Sequence, residues 1–285
     1  MDYRETSITP EAERLLNLSI ANSRVVLEKY PNSKYVEEAY HILSSSTFLK
    51  EDYISSRQYL MPLIKKYPDG KYFNESNIKL ATIYLRTNEL HYADSLIATI
   101  ESTLQLNRYE TYLLNSLYGE RSNNFRDKES SYQYYRKALK LASKDEQRIK
   151  TLNTLVRISE EAKDYENLLL FIDDLFNISY IDSDKKDLKL ISIDYNKRLN
   201  KYEYLVNEIE QMLSQSLFED KRLFLSLELA KSYYQLGEFD LSKELLLDLV
   251  DSYSKKKETA EAYFYLAKIN MDTDFDLNTI KDLLE

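Results

Sequence analysis

The sequence predicts an all-α chain, a solenoid of stacked helix-turn-helix repeats with a period of about 37 residues. Three observations carry that expectation. The phrase YPNSKYVEEAYHIL from Tyr30 returns as YPDGKYFNESNIKL from Tyr67, so Pro31 and Pro68 open two copies of one pattern 37 residues apart. Only three glycines and four prolines interrupt 285 residues, which leaves few helix breakers. A small or apolar residue recurs at Ser44, Ala81, Gly119, Val156, Ile193, Ala230 and Ala267, always 37 or 38 residues after the last.

Taking that residue as position 8 of a frame gives the elements in order. Residues 1–11 read as an N-terminal tail and 12–285 as a single superhelix. Within it, 12–30 form a half repeat, and seven copies follow near 34–285, the last incomplete. A lone helix is expected over 11–30. First helices of each pair are expected near 35–49, 72–87, 109–123, 146–162, 184–199, 221–236 and 258–271. Second helices are expected near 52–66, 89–106, 128–142, 165–178, 202–215, 239–253 and 277–285. Positions 24 (Leu60, Ile97, Tyr135, Ile172, Ile209, Leu246, Leu283) and 27 (Leu63, Ile100, Ala138, Leu175, Met212, Leu249) lie three apart, on one helix face. Position 16, just before each second helix, holds Asp52, Glu89, Asp127, Asp164, Lys201 and Glu238, where an acid caps or complements the helix start. Gly237 stands one residue earlier, where a left-handed turn residue is useful. Pro62, inside a second helix, predicts a bend.

Composition narrows the function classes. Hydrophobic residues make up 43% and charged residues 31%, enough for a continuous core and unlike a disordered chain. Lys and Arg number 39 against 48 Asp and Glu, a net charge of −9 that argues against nucleic acid as partner. With no cysteine there are no disulfides, thiolate metal sites or cysteine nucleophiles. The opening MDYRETSITPEAE is polar and acidic, unlike a signal peptide, and no apolar run approaches the ~20 residues that span a bilayer. No direct membrane insertion is expected of this segment.

Candidate chemistry is sparse. His41 and His91 fall in different copies at different frame positions, without metal-ligand spacing. Dispersed glycines make no phosphate-cradling loop. Paired acids such as Glu160-Glu161 and Asp173-Asp174 are adjacent in a helix and diverge. DTDFDLNTIKDLLE from Asp272 starts like a calcium loop but has Leu277 and Leu283 where that loop needs glycine and glutamate. No catalytic, cofactor-binding or metal residue is therefore expected. Tyr30, Tyr67, Tyr72, Tyr84, Tyr165, Tyr202 and Tyr233 read as half-buried wedges. Tyr132, Tyr134 and Tyr135 cluster in a way that allows an exposed aromatic patch. Lys255-Lys256-Lys257 ends a helix, where positive charge offsets the dipole.

LAKSYYQLGEFDLSKELLLDLV, Leu229 to Val250, places Leu229, Ala230, Tyr233, Gly237, Phe239 and Leu246 at the signature places of the tetratricopeptide repeat family, which the chain resembles. It departs from that family in its longer period. It also departs at position 20, where the usual alanine is Ala93 in one copy and Ser56, Ser131, Leu168, Leu205 or Ser242 elsewhere. The resemblance implies a right-handed superhelix whose first helices line a concave groove at positions 2, 5, 9, 12 and 13. Carried over residue by residue, the groove would present Thr82, Arg86, Glu120, Asn153, Arg157, Asp194, Lys197, Lys231, Tyr234 and Lys268 to a partner protein or peptide.

The Tyr-Pro-x-Ser/Gly-Lys-Tyr phrasing is similar to the repeats of bacterial outer-membrane assembly lipoproteins and periplasmic cell-division coordinators. It implies a non-catalytic interaction scaffold in a bacterial cell-envelope assembly. Its location would be periplasmic, at the outer membrane through a lipid anchor removed from the segment. The alternatives are a cytosolic adaptor or co-chaperone-like peptide receptor with a basic clamp of Arg157, Lys197 and Lys231, and a regulatory repeat domain of a larger enzyme. The half repeat at the start and the short last helix lead to the expectation of a segment of a longer protein, with open ends that pair end to end.

Overall fold

The computed structural model describes residues 9–253 and 257–273. They form α1 (Pro10–Lys29), α2 (Val36–Leu49), α3 (Tyr53–Lys66), α4 (Phe73–Arg86), α5 (Leu90–Thr103), α6 (Arg108–Asn124), α7 (Lys128–Leu141), α8 (Asp145–Ala162) and α9 (Tyr165–Ile178). There follow α10 (Asp182–Arg198), α11 (Tyr202–Leu213), α12 (Arg222–Gln235), α13 (Phe239–Ser252) and α14 (Lys257–Thr273). After α1, even-numbered helices are the first of each pair and odd-numbered helices the second. The starts lie within two residues of the expected ones. The expected helix over 277–285 with its Leu283, the calcium-like stretch beyond Thr273, and Lys255-Lys256 lie outside the described residues. A short 3-10 turn, Ser216–Lys221, was not foreseen; it tucks Phe218 into the core beside α11 and α12. The chain packs as two compact units, 1–158 and 159–285.

The helices of a pair cross at positions 8 and 20. In the first unit Ser56 Oγ donates to the Ser44 carbonyl and Ser131 Oγ to the Gly119 carbonyl, each at 2.8 Å. In the second unit Ser242 Oγ donates to the Ala230 carbonyl, also at 2.8 Å. All three serines are fully buried. A hydroxyl placed there needs a partner, and the exposed side of a helical carbonyl supplies one. Ala81 and Ala93 meet the same requirement in α4 and α5 by having no polar atom to satisfy. The α6–α7 pair, with Gly119 and Ser131, runs together over a longer stretch than α10–α11, where Ile193 and Leu205 stand. A Cβ on Gly119 would lie 2.6 Å from the Tyr135 ring, so that close approach depends on glycine.

Positions 24 and 27 fill the space beside this crossing. Leu60, Leu63, Ile100, Ala138, Ile209, Met212, Leu246 and Leu249 are all buried, and each unit's core is a run of such residues from successive pairs. Burial of each large side chain contributes roughly 1.5–3 kcal/mol, and a single pair has no second surface against which to bury its own.

The turn within each pair has one backbone signature. Glu51, Asn88, Arg126, Lys163, Asn200 and Gly237 have φ between 54° and 80°, and all six occupy frame position 15. Only the last is a glycine, so five copies place a side chain in the left-handed region. Next to it, Asp52 and Asp127 accept the backbone N–H three residues on at 3.0 Å and Asp164 does so at 3.3 Å, as expected of caps. Glu89, Lys201 and Glu238 make no such bond. A glutamate is one methylene too long to fold back on its own turn, and Glu89 pairs instead with Arg57 at 3.1 Å. The two Tyr-Pro connectors match bond for bond. Ser33 and Gly70 N–H donate to Tyr30 and Tyr67 carbonyls, and Val36 and Phe73 N–H to Ser33 and Gly70 carbonyls.

Two expectations about tyrosine are corrected. Tyr30 is 61% exposed and wedges nothing. Tyr132, Tyr134 and Tyr135 make no exposed patch: the Tyr132 hydroxyl is buried, Tyr134 packs on Tyr118 at 5.0 Å, and Tyr135 lies against Gly119. Pro62 lies inside α3, which continues unbroken to Lys66.

Urea denaturation tests the crossing. Ser242→Ala should cost about 1 kcal/mol, one buried hydrogen bond, whereas Ser242→Leu should cost about 2–3 kcal/mol by overpacking. Gly119→Ala should destabilise by about 1–3 kcal/mol despite alanine's better helix propensity, and by less when Tyr135 is also Ala. At the turn, Arg126→Gly and Lys163→Gly should each stabilise by about 0.5–1 kcal/mol, read as a rise in melting temperature, because relief of left-handed strain exceeds glycine's added chain entropy.

Candidate functional site

In the first unit the first helices α2, α4, α6 and α8 share one open cavity of about 860 Å³. Each contributes one face over two to three turns. His41, Ser45, Phe48 and Leu49 come from α2, Glu75, Ile78, Lys79, Thr82 and Arg86 from α4, and Leu113, Ser116, Glu120 and Asn123 from α6, with Lys150 and Arg157 from α8. The i, i+3, i+4 spacing within each helix is what puts these residues on one side. Of the expected lining residues in this unit, Thr82, Arg86, Glu120 and Arg157 are brought together here. Asn153 is half-buried on α8 and does not line the cavity.

The centre is a held ion pair. The Arg86 guanidinium donates to Glu120 from Nε at 2.6 Å and from Nη2 at 3.1 Å, and to the Tyr53 hydroxyl at 3.0 Å. Its carbon lies 5.1 Å from the Phe48 ring centre. Bidentate geometry of this kind fixes the fork rigidly. Although burial opposes the charge, the Glu120 carboxylate and Tyr53 hold Arg86 protonated, well above the ordinary arginine range.

Toward α2, Lys79 Nζ donates to Ser45 Oγ at 2.6 Å and Glu75 Oε1 at 3.3 Å; burial pushes its pKa down and Glu75 opposes that. His41 stacks on Tyr72 at 3.9 Å, and burial lowers its pKa. On the far wall burial and the Arg86 charge push Lys150 down, with Glu120 opposing. The residue is exposed to the open groove, yet protein atoms crowd it from several sides. Tyr109, 40% exposed, has its phenol pushed up to about 12 by burial and by Glu75. The frame missed Lys79 and the aromatic residues Tyr109, Tyr112 and Tyr135. The first lies at position 6, one turn from position 9, and the others come from helix starts or a second helix.

The remaining expected residues lie on first helices of the second unit. Lys197 Nζ donates to Glu228 Oε2 at 2.8 Å, Lys231 Nζ to Glu228 Oε1 at 2.7 Å, and Lys231 also to Glu261 at 2.7 Å. Glu228 is buried, so this is an alternating row of charges on α10, α12 and α14 whose hub is out of water. Asp194 is spent on Arg198 at 2.9 Å. The Tyr234 hydroxyl donates to Asp272 at 2.6 Å, and Lys268 sits 4.7 Å above the Tyr234 ring. Among the described residues no group of three His, Asp or Glu side chains could hold a metal ion, and no helix is long and apolar enough to cross a membrane.

No protein-family model matches the sequence, and no curated protein matches it. Solved structures do resemble the fold. The apo form of RapI matches at a TM-score of 0.49 and 13% identity, over 94% of this chain and 74% of that one. Pseudomonas aeruginosa PilF matches at 0.46 and 17%, over 79% of this chain and 95% of that one. A tetratricopeptide repeat protein from Parabacteroides merdae matches at 0.41 and 16%, over 87% and 97%. All three likenesses lie below a TM-score of 0.5; the stacked helical hairpins are shown by the chain's own helices.

Proposed function

We propose that the chain is a non-catalytic protein-interaction scaffold that receives a segment of a partner protein in the groove of α2, α4, α6 and α8, within a bacterial cell-envelope assembly. The observation that carries the reading is the groove itself. Four successive first helices turn polar, aromatic and charged side chains toward one open space of about 860 Å³, the kind of concave surface that repeat folds use for extended partners. Its central pair is already tied between α4 and α6, so little side-chain ordering is left to be done on binding. The envelope setting rests on the repeated Tyr-Pro-x-Ser/Gly-Lys-Tyr phrase, and periplasmic location goes with it. A basic clamp of the adaptor kind gains no support from Lys197 and Lys231, whose charges are committed to buried Glu228. End-to-end self-association belongs to the proposal too: Leu15, Leu18 and Val25 stand 42–50% exposed on α1.

Affinity capture from native envelope and cytosolic extracts tests the reading, with Thr82→Trp to fill the groove. Envelope proteins should be retained by the parent chain and lost by the filled variant, which should keep its melting temperature. Retention by both forms would move the site off the groove. Capture from cytosol alone would discard the envelope setting. Sedimentation should show concentration-dependent pairing that Leu15→Lys/Leu18→Lys reduces.

A further inference from the structure

The charge of the groove runs against the charge of the chain. The whole sequence carries −9, yet the groove is lined by five cations, of which Lys144, Lys150 and Arg157 come from the start and body of one wall, and by three carboxylates. Two of those carboxylates are consumed at home: Glu120 is held from both sides by Arg86, and Glu75 by Lys79. The third, Glu146, is at the start of α8. Lys150, one turn further along that helix, faces the groove with no hydrogen-bond or ion-pair partner among the described residues. The first helices of the second unit make the contrast. There Lys197 and Lys231 have their counter-charge built in as Glu228 and Glu261.

A cation crowded by protein and left without a counter-ion is a place where an incoming carboxylate gains more than it would at an open surface. Burial and the Arg86 charge hold Lys150 below the ordinary lysine range, and an anion beside it would reverse that shift. Apolar surface lies in the same groove: Leu49 is 57% exposed and Tyr109 40%, and Phe48 also lines it.

We propose that the occupant of this groove is an extended peptide segment bearing acidic side chains interleaved with apolar ones, its carboxylates meeting Lys150 and its apolar side chains lying on Leu49, Phe48 and Tyr109. The proposal rests on the groove being the partner site. An extended strand sends alternate side chains to opposite sides, so one segment can meet a basic wall and an apolar wall together. The recognition is of side chains along the segment and needs no free terminus.

The test uses fluorescein-labelled peptides of alternating Glu and Leu, blocked at both ends, with Lys-Leu and Ser-Leu counterparts, titrated by anisotropy against the full chain. The Glu-Leu peptide should bind best and weaken as salt rises. Lys150→Glu should weaken it about tenfold or more while Lys150→Arg retains it. Lys29→Glu on α1 makes the same change in net charge outside the groove and should leave binding unchanged. Equal loss in Lys150→Glu and Lys29→Glu would overturn the proposal, since attraction would then be to charge at large. Tighter binding of the Ser-Leu or Lys-Leu peptide, abolished by Thr82→Trp, would overturn the acidic occupant and leave the groove as the partner site. Binding of no peptide would overturn both.

Discussion

Everything in this fold depends on how near two helices can come at one point. Position 8 of the first helix faces position 20 of the second, and where both are small the backbones lie close enough for a serine hydroxyl to reach a helical carbonyl. Gly119 with Ser131, Ser44 with Ser56 and Ala230 with Ser242 all come that near, at 2.8 Å from hydroxyl to carbonyl, while Ile193 with Leu205 has no hydroxyl to make the bond. The layers of Leu, Ile and Met at positions 24 and 27 fill what that crossing leaves. The orientation of each first helix, and so of the groove it lines, follows from the crossing.

The substitution of serine for the alanine that the repeat family favours looks in the sequence like a weakening of the pattern. In the structure it is a solution to the same problem. Alanine leaves the facing carbonyl untouched, and serine bonds to it; both meet a requirement of smallness in four of the six pairs, and buried Leu168 and Leu205 stand there in the other two. The period and the helix starts were readable because this requirement, with the apolar columns beside it, recurs every 37 or 38 residues. The left-handed residue of each turn has a signal in the sequence at Gly237 and, more weakly, at Asn88 and Asn200. Glu51, Arg126 and Lys163 occupy the same backbone state, but their side chains carry no sign of it, because the hairpin imposes the conformation against local preference. The turn around Phe218 was missed for the opposite reason: a single buried aromatic residue holds it, with no period to announce it.

The groove was legible to the extent that helical register is. Thr82, Arg86, Glu120 and Arg157 come together because they sit at equivalent positions of neighbouring first helices. What register does not reveal is how charges are spent. Lys197 and Lys231 read as free cations, and both are bound to Glu228, respectively 31 and 3 residues away. The Lys197–Glu228 and Lys231–Glu261 pairs depend on side-chain reach between helices of adjacent repeats, so a count of lysines overstates the free positive charge of that unit.

The spacing of the repeats separates two kinds of loop. From position 8 to the left-handed residue is always seven residues, in copies that otherwise differ at most positions. The single change of period, 38 in place of 37 between Ala81 and Gly119, falls after Ile100, where the connector Leu104–Asn107 replaces the Tyr-Pro turn of the earlier copies. The interval across the turn of each hairpin is constant, and length varies between position 27 of one copy and position 8 of the next, in the connector and the start of the following first helix. The turn of the hairpin is thus the constant piece, and the connector with the start of the next helix is the joint. New sequence, whether acquired by evolution or grafted by design, has a natural point of entry at the joints, where it would lengthen the array's outline without disturbing the face that each hairpin presents.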